Sequence, residues 1–185
     1  RGQAGVGYLN ESSPLTNIFG PMSRFKNEYS MLFDGIQGVI NVGPVHQFEH
    51  SDAFSIAFWA KYNDTQVIMK LVHNQLPLNR GYIIQTLVNG NIHVNLANSG
   101  GLAQKIIMET DRPFYDNQWH FFTLTYDGSN NKNGISFYAD GSLVPLTHTS
   151  TASSLPGSMV STGNVYIGGN ENSQPLDGFL EDASI

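Results

Sequence analysis

Asn89-Gly90 sits between two stretches, GYIIQTLV and NIHVNLAN, in which apolar and polar residues alternate. Asn and Gly tolerate the positive φ that both central positions of a type I′ turn require, and the twist of that turn matches the twist of paired strands. The segment is therefore predicted to be an antiparallel hairpin with a two-residue loop. That loop length sets Val88 opposite Asn91, Leu87 opposite Ile92, Thr86 opposite His93, Gln85 opposite Val94 and Ile84 opposite Asn95. One face then carries Ile83, Gln85, Leu87, Ile92, Val94 and Leu96 and is assigned to the core. The other carries Tyr82, Ile84, Thr86, Val88, Asn91, His93 and Asn95, a mixed surface that reads as a half-exposed sheet face.

The same patterning recurs along the chain. Phe54, Ile56, Phe58 and Ala60 alternate with Ser55, Ala57, Trp59 and Lys61, the period of a strand with one buried side. The run after Trp119 has aromatics at both parities and reads as a strand covered on both sides. ISFYADGSLVPL places Asp140-Gly141 at a second hairpin turn, with Pro145 ending the pairing. Val165-Tyr166-Ile167 before Gly168-Gly169, and FLEDASI at the end, supply the last strands. No helical period runs for ten residues. Many short strands at close spacing are best satisfied by a two-sheet antiparallel β-sandwich.

With 185 residues the chain has the size of one domain, enough to bury about 70% of its unfolded surface. It has no cysteine, so neither disulfides nor thiolate metal sites enter. Residues 1–22 carry Gly2, Gly5, Gly7, Pro14, Gly20 and Pro21 with little periodicity and read as an extended arm; residues 23–185 form the sandwich. Tyr8, Leu9, Leu15, Ile18 and Phe19 give the arm something to dock with. The formal charge is -6 and cations are not clustered, which argues against nucleic acid as partner. No apolar run reaches the roughly 20 residues of a bilayer span, and the first residues lack the apolar core of a signal peptide. The chain begins with Arg, which fits a processed product or a piece of a longer protein. Asn10-Glu11-Ser12 and Asn63-Asp64-Thr65 match glycosylation sequons.

Three segments in order resemble the laminin-G-like jelly-roll family and its concanavalin-A-like relatives. They are SMLFDGIQGVINVG followed by DAFSIAFWAKY; QWHFFTLTYDG leading to GISFYADGSLV; and VYIGGN with DGFLEDASI. The resemblance covers about residues 30–185 and implies a two-sheet jelly roll, an extracellular, cell-surface or virion-surface location, and binding activity in place of catalysis. It also implies that some members hold a structural calcium, for which Asp34 and Asp182 are the candidates here. The alternative, that Asp34 caps a turn and Asp182 is solvated, stays open. One departure is Glu181-Asp182-Ala183, where the family commonly has an acidic pair followed by Val.

Polysaccharide-cleaving enzymes on this fold present paired carboxylates on one strand, because hydrolysis needs an acid facing a nucleophile or base. No Glu-x-Asp-x-Glu strand occurs, and adjacent Glu181 and Asp182 project to opposite faces. His46 and His50 fall in a loop, while His73, His93 and His120 lie singly on strands. The chain is read as a non-enzyme. Sugar recognition needs aromatic faces with polar groups at the rim, and Tyr82, Thr86, His93 and Asn95, joined by Trp59, are the predicted ligand-binding residues. Two functions compete. One is carbohydrate recognition or adhesion; the other is a structural assembly role, such as a virion decoration or appendage subunit, with the arm clasping a neighbouring subunit or a second copy in a homo-oligomer.

Overall fold

The structure, a computed structural model, describes residues 30–63, 67–74, 79–99, 104–169 and 174–185. The arm at residues 1–22 lies outside them. Among the described residues thirteen strands follow one another: β1 Met31–Asp34, β2 Ile40–Gly43, β3 Phe54–Tyr62, β4 Lys70–His73, β5 Gly81–Thr86, β6 Asn91–Ala97, β7 Lys105–Pro113, β8 His120–Tyr126, β9 Ile135–Ala139, β10 Ser142–Val144, β11 Leu146–His148, β12 Val165–Ile167 and β13 Asp177–Ser184. They form a six-stranded sheet in the order β1-β13-β3-β8-β9-β10 and a seven-stranded sheet in the order β11-β7-β6-β5-β4-β12-β2. Every pairing is antiparallel, and the fold is the two-sheet jelly roll expected from the sequence.

The inner faces meet in one core. From the six-stranded sheet come Ile56, Phe58, Phe122, Leu124 and Phe137; from the seven-stranded sheet come Leu71, Ile84, Ile92, Val94 and Ile106. Ring contacts knit the middle, with the Phe122 centroid 5.7 Å from Phe58, 5.6 Å from Phe137 and 5.2 Å from the edge-on ring of Phe114. Burying each such side chain contributes about 1.5–3 kcal/mol. The alternation read in β3 holds: Phe54, Ile56, Phe58, Ala60 and Tyr62 are buried and the residues between them are not.

The Asp140-Gly141 turn is the two-residue loop its sequence suggests. Asp140 and Gly141 have φ of 53° and 78°, and Ala139 pairs directly with Ser142. Pro145 then separates β10 in one sheet from β11 in the other.

The β5–β6 hairpin differs from its prediction by one residue. Its ladder pairs Thr86 with Ile92, Gln85 with His93, Ile84 with Val94, Ile83 with Asn95 and Tyr82 with Leu96. The Leu87 N–H donates to the Asn91 carbonyl and the Gly90 N–H to the Leu87 carbonyl, both at 2.8 Å, so Val88, Asn89 and Gly90 form a three-residue loop. Gly90 has φ of 80°, whereas Asn89 stays out of the positive region that type I′ demands. This is the three-residue loop ending in a left-handed glycine. The turn is seated against a ring far along the chain: a Cβ on Gly90 would stand 1.5 Å from Cδ1 of Tyr115. One residue of slip inverts a strand. The β6 half of the predicted core (Ile92, Val94, Leu96) is correct, but in β5 it is Tyr82, Ile84 and Thr86 that point inward.

Candidate ligand-binding face

The inversion of β5 divides the predicted ligand residues. Tyr82 is fully buried in the core, its hydroxyl 3.5 Å from the His46 carbonyl. Thr86 is 1% exposed, and its Oγ1 accepts from the Met69 N–H at 3.1 Å. Neither is placed to meet a ligand. His93 and Asn95 do share the outer face of the seven-stranded sheet. Trp59, however, lies on the outer face of the six-stranded sheet. The two sheets stack about 10 Å apart, so Trp59 and the His93–Asn95 pair look out on opposite sides of the molecule. The shared platform expected from the sequence is therefore corrected to two separate faces.

On the seven-stranded side, the ladder lines up Lys70, Gln85, His93 and Glu109 across four strands. His93 Nδ1 lies 3.3 Å from Glu109 Oε1, which also accepts from Thr149 Oγ1 at 3.1 Å. A neighbouring row holds His73, Ile83 and Asn95, with Tyr166 stacked on His73 at 5.3 Å. This face is closely covered: His73 is 0%, Asn95 5% and Lys70 8% exposed. Burial, reinforced by the Lys70 charge, pushes the His73 imidazole down to about 4.

The six-stranded side is different in character. On β13, β3 and β8 the outward positions form a block of two rows. Glu181, Trp59 and Phe121 make one row through printed ladder partners; Phe179 and Lys61 make the other, with Trp119 next to them one residue before β8 begins. The Trp59 and Phe121 centroids are 5.1 Å apart at 41°, those of Trp119 and Phe179 are 6.1 Å apart, and Lys61 Nζ lies 5.9 Å from the Phe179 ring. All six side chains are half-buried. β8 is thus sealed on one side only, not covered on both as its aromatics suggested. Sequence reading named Trp59 but missed Trp119, Phe121 and Phe179 as its companions. Their parity in FSIAFWAKY, WHFFTLTY and DGFLEDASI, once the three strands are paired, is the signal that joins them.

The calcium candidates do not converge. Asp34 Oδ1 accepts from the Ile36 and Gln37 N–H groups at 2.9 Å, and those bonds hold its carboxyl below the usual range. Asp34 pairs with Asp177, five residues before Asp182, which is a separation of about 17 Å along β13. Asp182 itself sits in a bulge with φ of 50°. Among the described residues no three His, Cys, Asp or Glu side chains group to hold a metal.

A family model described as the concanavalin A-like lectin/glucanase superfamily, laminin G type, matches residues 34–185. The chain belongs to this family. Similar solved structures include the sialidase carbohydrate-binding module of Ruminococcus gnavus bound to α2,3-sialyllactose, at 15% identity and TM-score 0.55, covering 84% of this chain and 90% of that one. A heptameric pentraxin from Limulus polyphemus gives 12% identity and TM-score 0.58, with 84% and 74% covered. The mouse laminin α1 domains LG4-5 give 16% and 0.54, with 83% and 40% covered. At these identities the likeness is one of fold. No curated protein sequence matches the chain. Among the described residues no helix is long and apolar enough to cross a membrane.

Proposed function

We propose that this laminin-G-like domain is a non-catalytic carbohydrate-binding module whose ligand stacks on the outer face of the six-stranded sheet. The observation that carries this reading is the block of Trp59, Trp119, Phe121 and Phe179 on adjoining strands, with Lys61 and Glu181 set among the rings. A pyranose has an apolar C–H face and a rim of hydroxyls. Aromatic rings take the first by dispersion and by their negative faces. An ammonium donates to the rim and a carboxylate accepts from it. Three strands by two rows span about 10 by 7 Å, the footprint of one or two sugar rings. The sialyllactose complex of the bacterial module supports the general idea that this fold presents sugars, and an extracellular or surface location suits the family.

The competing assembly reading has its own observation. Leu32 and Leu143, 67% and 64% exposed, flank the block on the β1 and β10 sides, and a protein partner would bury them. A glycan array followed by calorimetric titration separates the two. The carbohydrate reading expects selective binding by the intact chain, weakened at least about tenfold, or about 1.4 kcal/mol, in Trp59→Ala with the melting curve of the fold retained. Absence of glycan binding, together with a dimer that Leu32→Glu dissociates, would replace it with the assembly role. Glycan binding indifferent to both Trp59→Ala and Phe179→Ala would move the site off this face.

A further inference from the structure

At one end of the sandwich a cavity of about 600 Å³ opens beside the starts of β4 and β13 and the tip of the β5–β6 loop. Its size falls in the range of about 300–1,000 Å³ typical of small-ligand clefts. The walls are apolar: Val67 and Ile68 ahead of β4, Val88 at the tip of the β5–β6 loop, and Pro175 ahead of β13. Val67 and Val88 are 52% and 56% exposed. Gly35, Gln174 and two carboxylates, Asp34 and Asp177, complete the described lining, and the two acids are direct cross-strand partners in the β1–β13 ladder. Like charges so placed repel. Asp34 spends Oδ1 on the two backbone N–H groups of its turn, which leaves Oδ2 for something else. Asp177 makes no side-chain hydrogen bond or ion pair among the described residues. Among the described residues no Lys, Arg or His lines the cavity. Gly35, with φ of 70°, lies so close to Asp177 that a Cβ there would stand 2.9 Å from the Asp177 Cβ, so the backbone leaves the two acids the space at the rim.

We infer that this cavity is a binding site for an organic cation, an ammonium group on an apolar stem, with the stem among Val67, Ile68 and Val88 and the charge between Asp34 and Asp177. Asp34 and Asp177 are both exposed, so their attraction for a monovalent cation is greatest at low salt, while the apolar residues beside them take the stem. The chemistry is that of a lysine side chain in a peptide or of a free alkylamine. It draws on different residues from the sugar platform.

The test titrates the whole chain with n-hexylammonium, n-hexanol and hexanoate at low salt, following backbone amides by NMR. Hexylammonium is expected to saturate with shifts concentrated at Val67, Ile68 and Val88, while hexanol and hexanoate bind at least about tenfold more weakly. Asp177→Asn, which disturbs no turn, and Asp34→Asn, which keeps an Oδ1 acceptor for Ile36 and Gln37, should each weaken hexylammonium about tenfold; Trp59→Ala should not. A blocked Val-Lys-Leu tripeptide binding more tightly than hexylammonium identifies a peptide source, and weaker binding identifies a free amine; either sustains the class. Hexanol binding as well as hexylammonium, indifference to both Asn variants, or calcium ions displacing hexylammonium at equal concentration would each overturn the inference.

Discussion

His120 Nδ1 lies 2.7 Å from Asp140 Oδ2, which ties the start of β8 to the turn between β9 and β10. The same carboxylate accepts the Phe121 N–H at 2.9 Å through Oδ1, and His120 Nε2 reaches Asp116 at 3.1 Å. Asp140 also has the left-handed backbone of the turn. Asp140→Ala therefore loses a shared acceptor and places a Cβ-bearing residue with no compensating bond at positive φ. The expected cost is about 2–3 kcal/mol in urea unfolding. Asp140→Asn keeps the turn and an acceptor and should cost under about 1 kcal/mol. Burial pushes the Asp140 carboxyl up, but the His120 and Phe121 bonds more than offset it, so its folded value is depressed. Its contribution is thus present above the ordinary carboxyl range, near pH 4, and lost as pH falls through the lower folded value.

His73 sets a second pH dependence of opposite chemistry. It is fully buried, Nε2 is 2.9 Å from the Gly169 carbonyl, and burial holds it neutral down to about pH 4. Unfolding frees it to take a proton near its ordinary value of about 6.5. Stability should be complete above about pH 6.5 and fall toward pH 4 by up to about 1.4 kcal/mol per pH unit. Urea midpoints at a series of pH values check this: His73→Gln should flatten the slope, leaving the smaller share of His93, whose value burial also lowers.

Tyr82 tests the corrected register. Its ring packs 5.8 Å from Phe54 and 5.9 Å from Phe48 inside the sandwich. Tyr82→Ala is expected to cost about 3–5 kcal/mol by thermal or urea unfolding. Tyr82→Phe should leave glycan binding unchanged, which a residue on a ligand face would not.

Gly90 tests why the register shifted. Gly90→Ala brings a Cβ into the Tyr115 ring and into a φ of 80°. A loss of at least about 1–2 kcal/mol is expected from the backbone alone, with more from the clash. In Gly90→Ala/Tyr115→Ala the second change should cost less than it does in the wild-type background, a coupling read from a double-mutant cycle.

The alternating strands such as β3 and the Asp140-Gly141 turn were legible in the sequence because each depends on neighbours a few residues away. The fate of Asn89-Gly90 was not. That pair closes a two- or a three-residue loop equally well, and Tyr115, 25 residues later, seats the turn it adopts. From that slip follows the burial of Tyr82 and Thr86. Trp59 was separated from His93 and Asn95 for a different reason: the residues of one sheet do not say which strands belong to the other. The ring block shows the same limit. Each aromatic is visible in its own strand, but only the pairing of β3 with β8 and β13 makes them neighbours.

The ring block stands on β3, nine residues long and laddered on both sides, so its members keep their spacing whether or not a ligand is present. Binding to such a surface orders few side chains. Encounter should then proceed in one step at a rate nearly the same for every accepted glycan. Discrimination between glycans would be carried by residence time, with the tighter ligands leaving more slowly and not arriving faster.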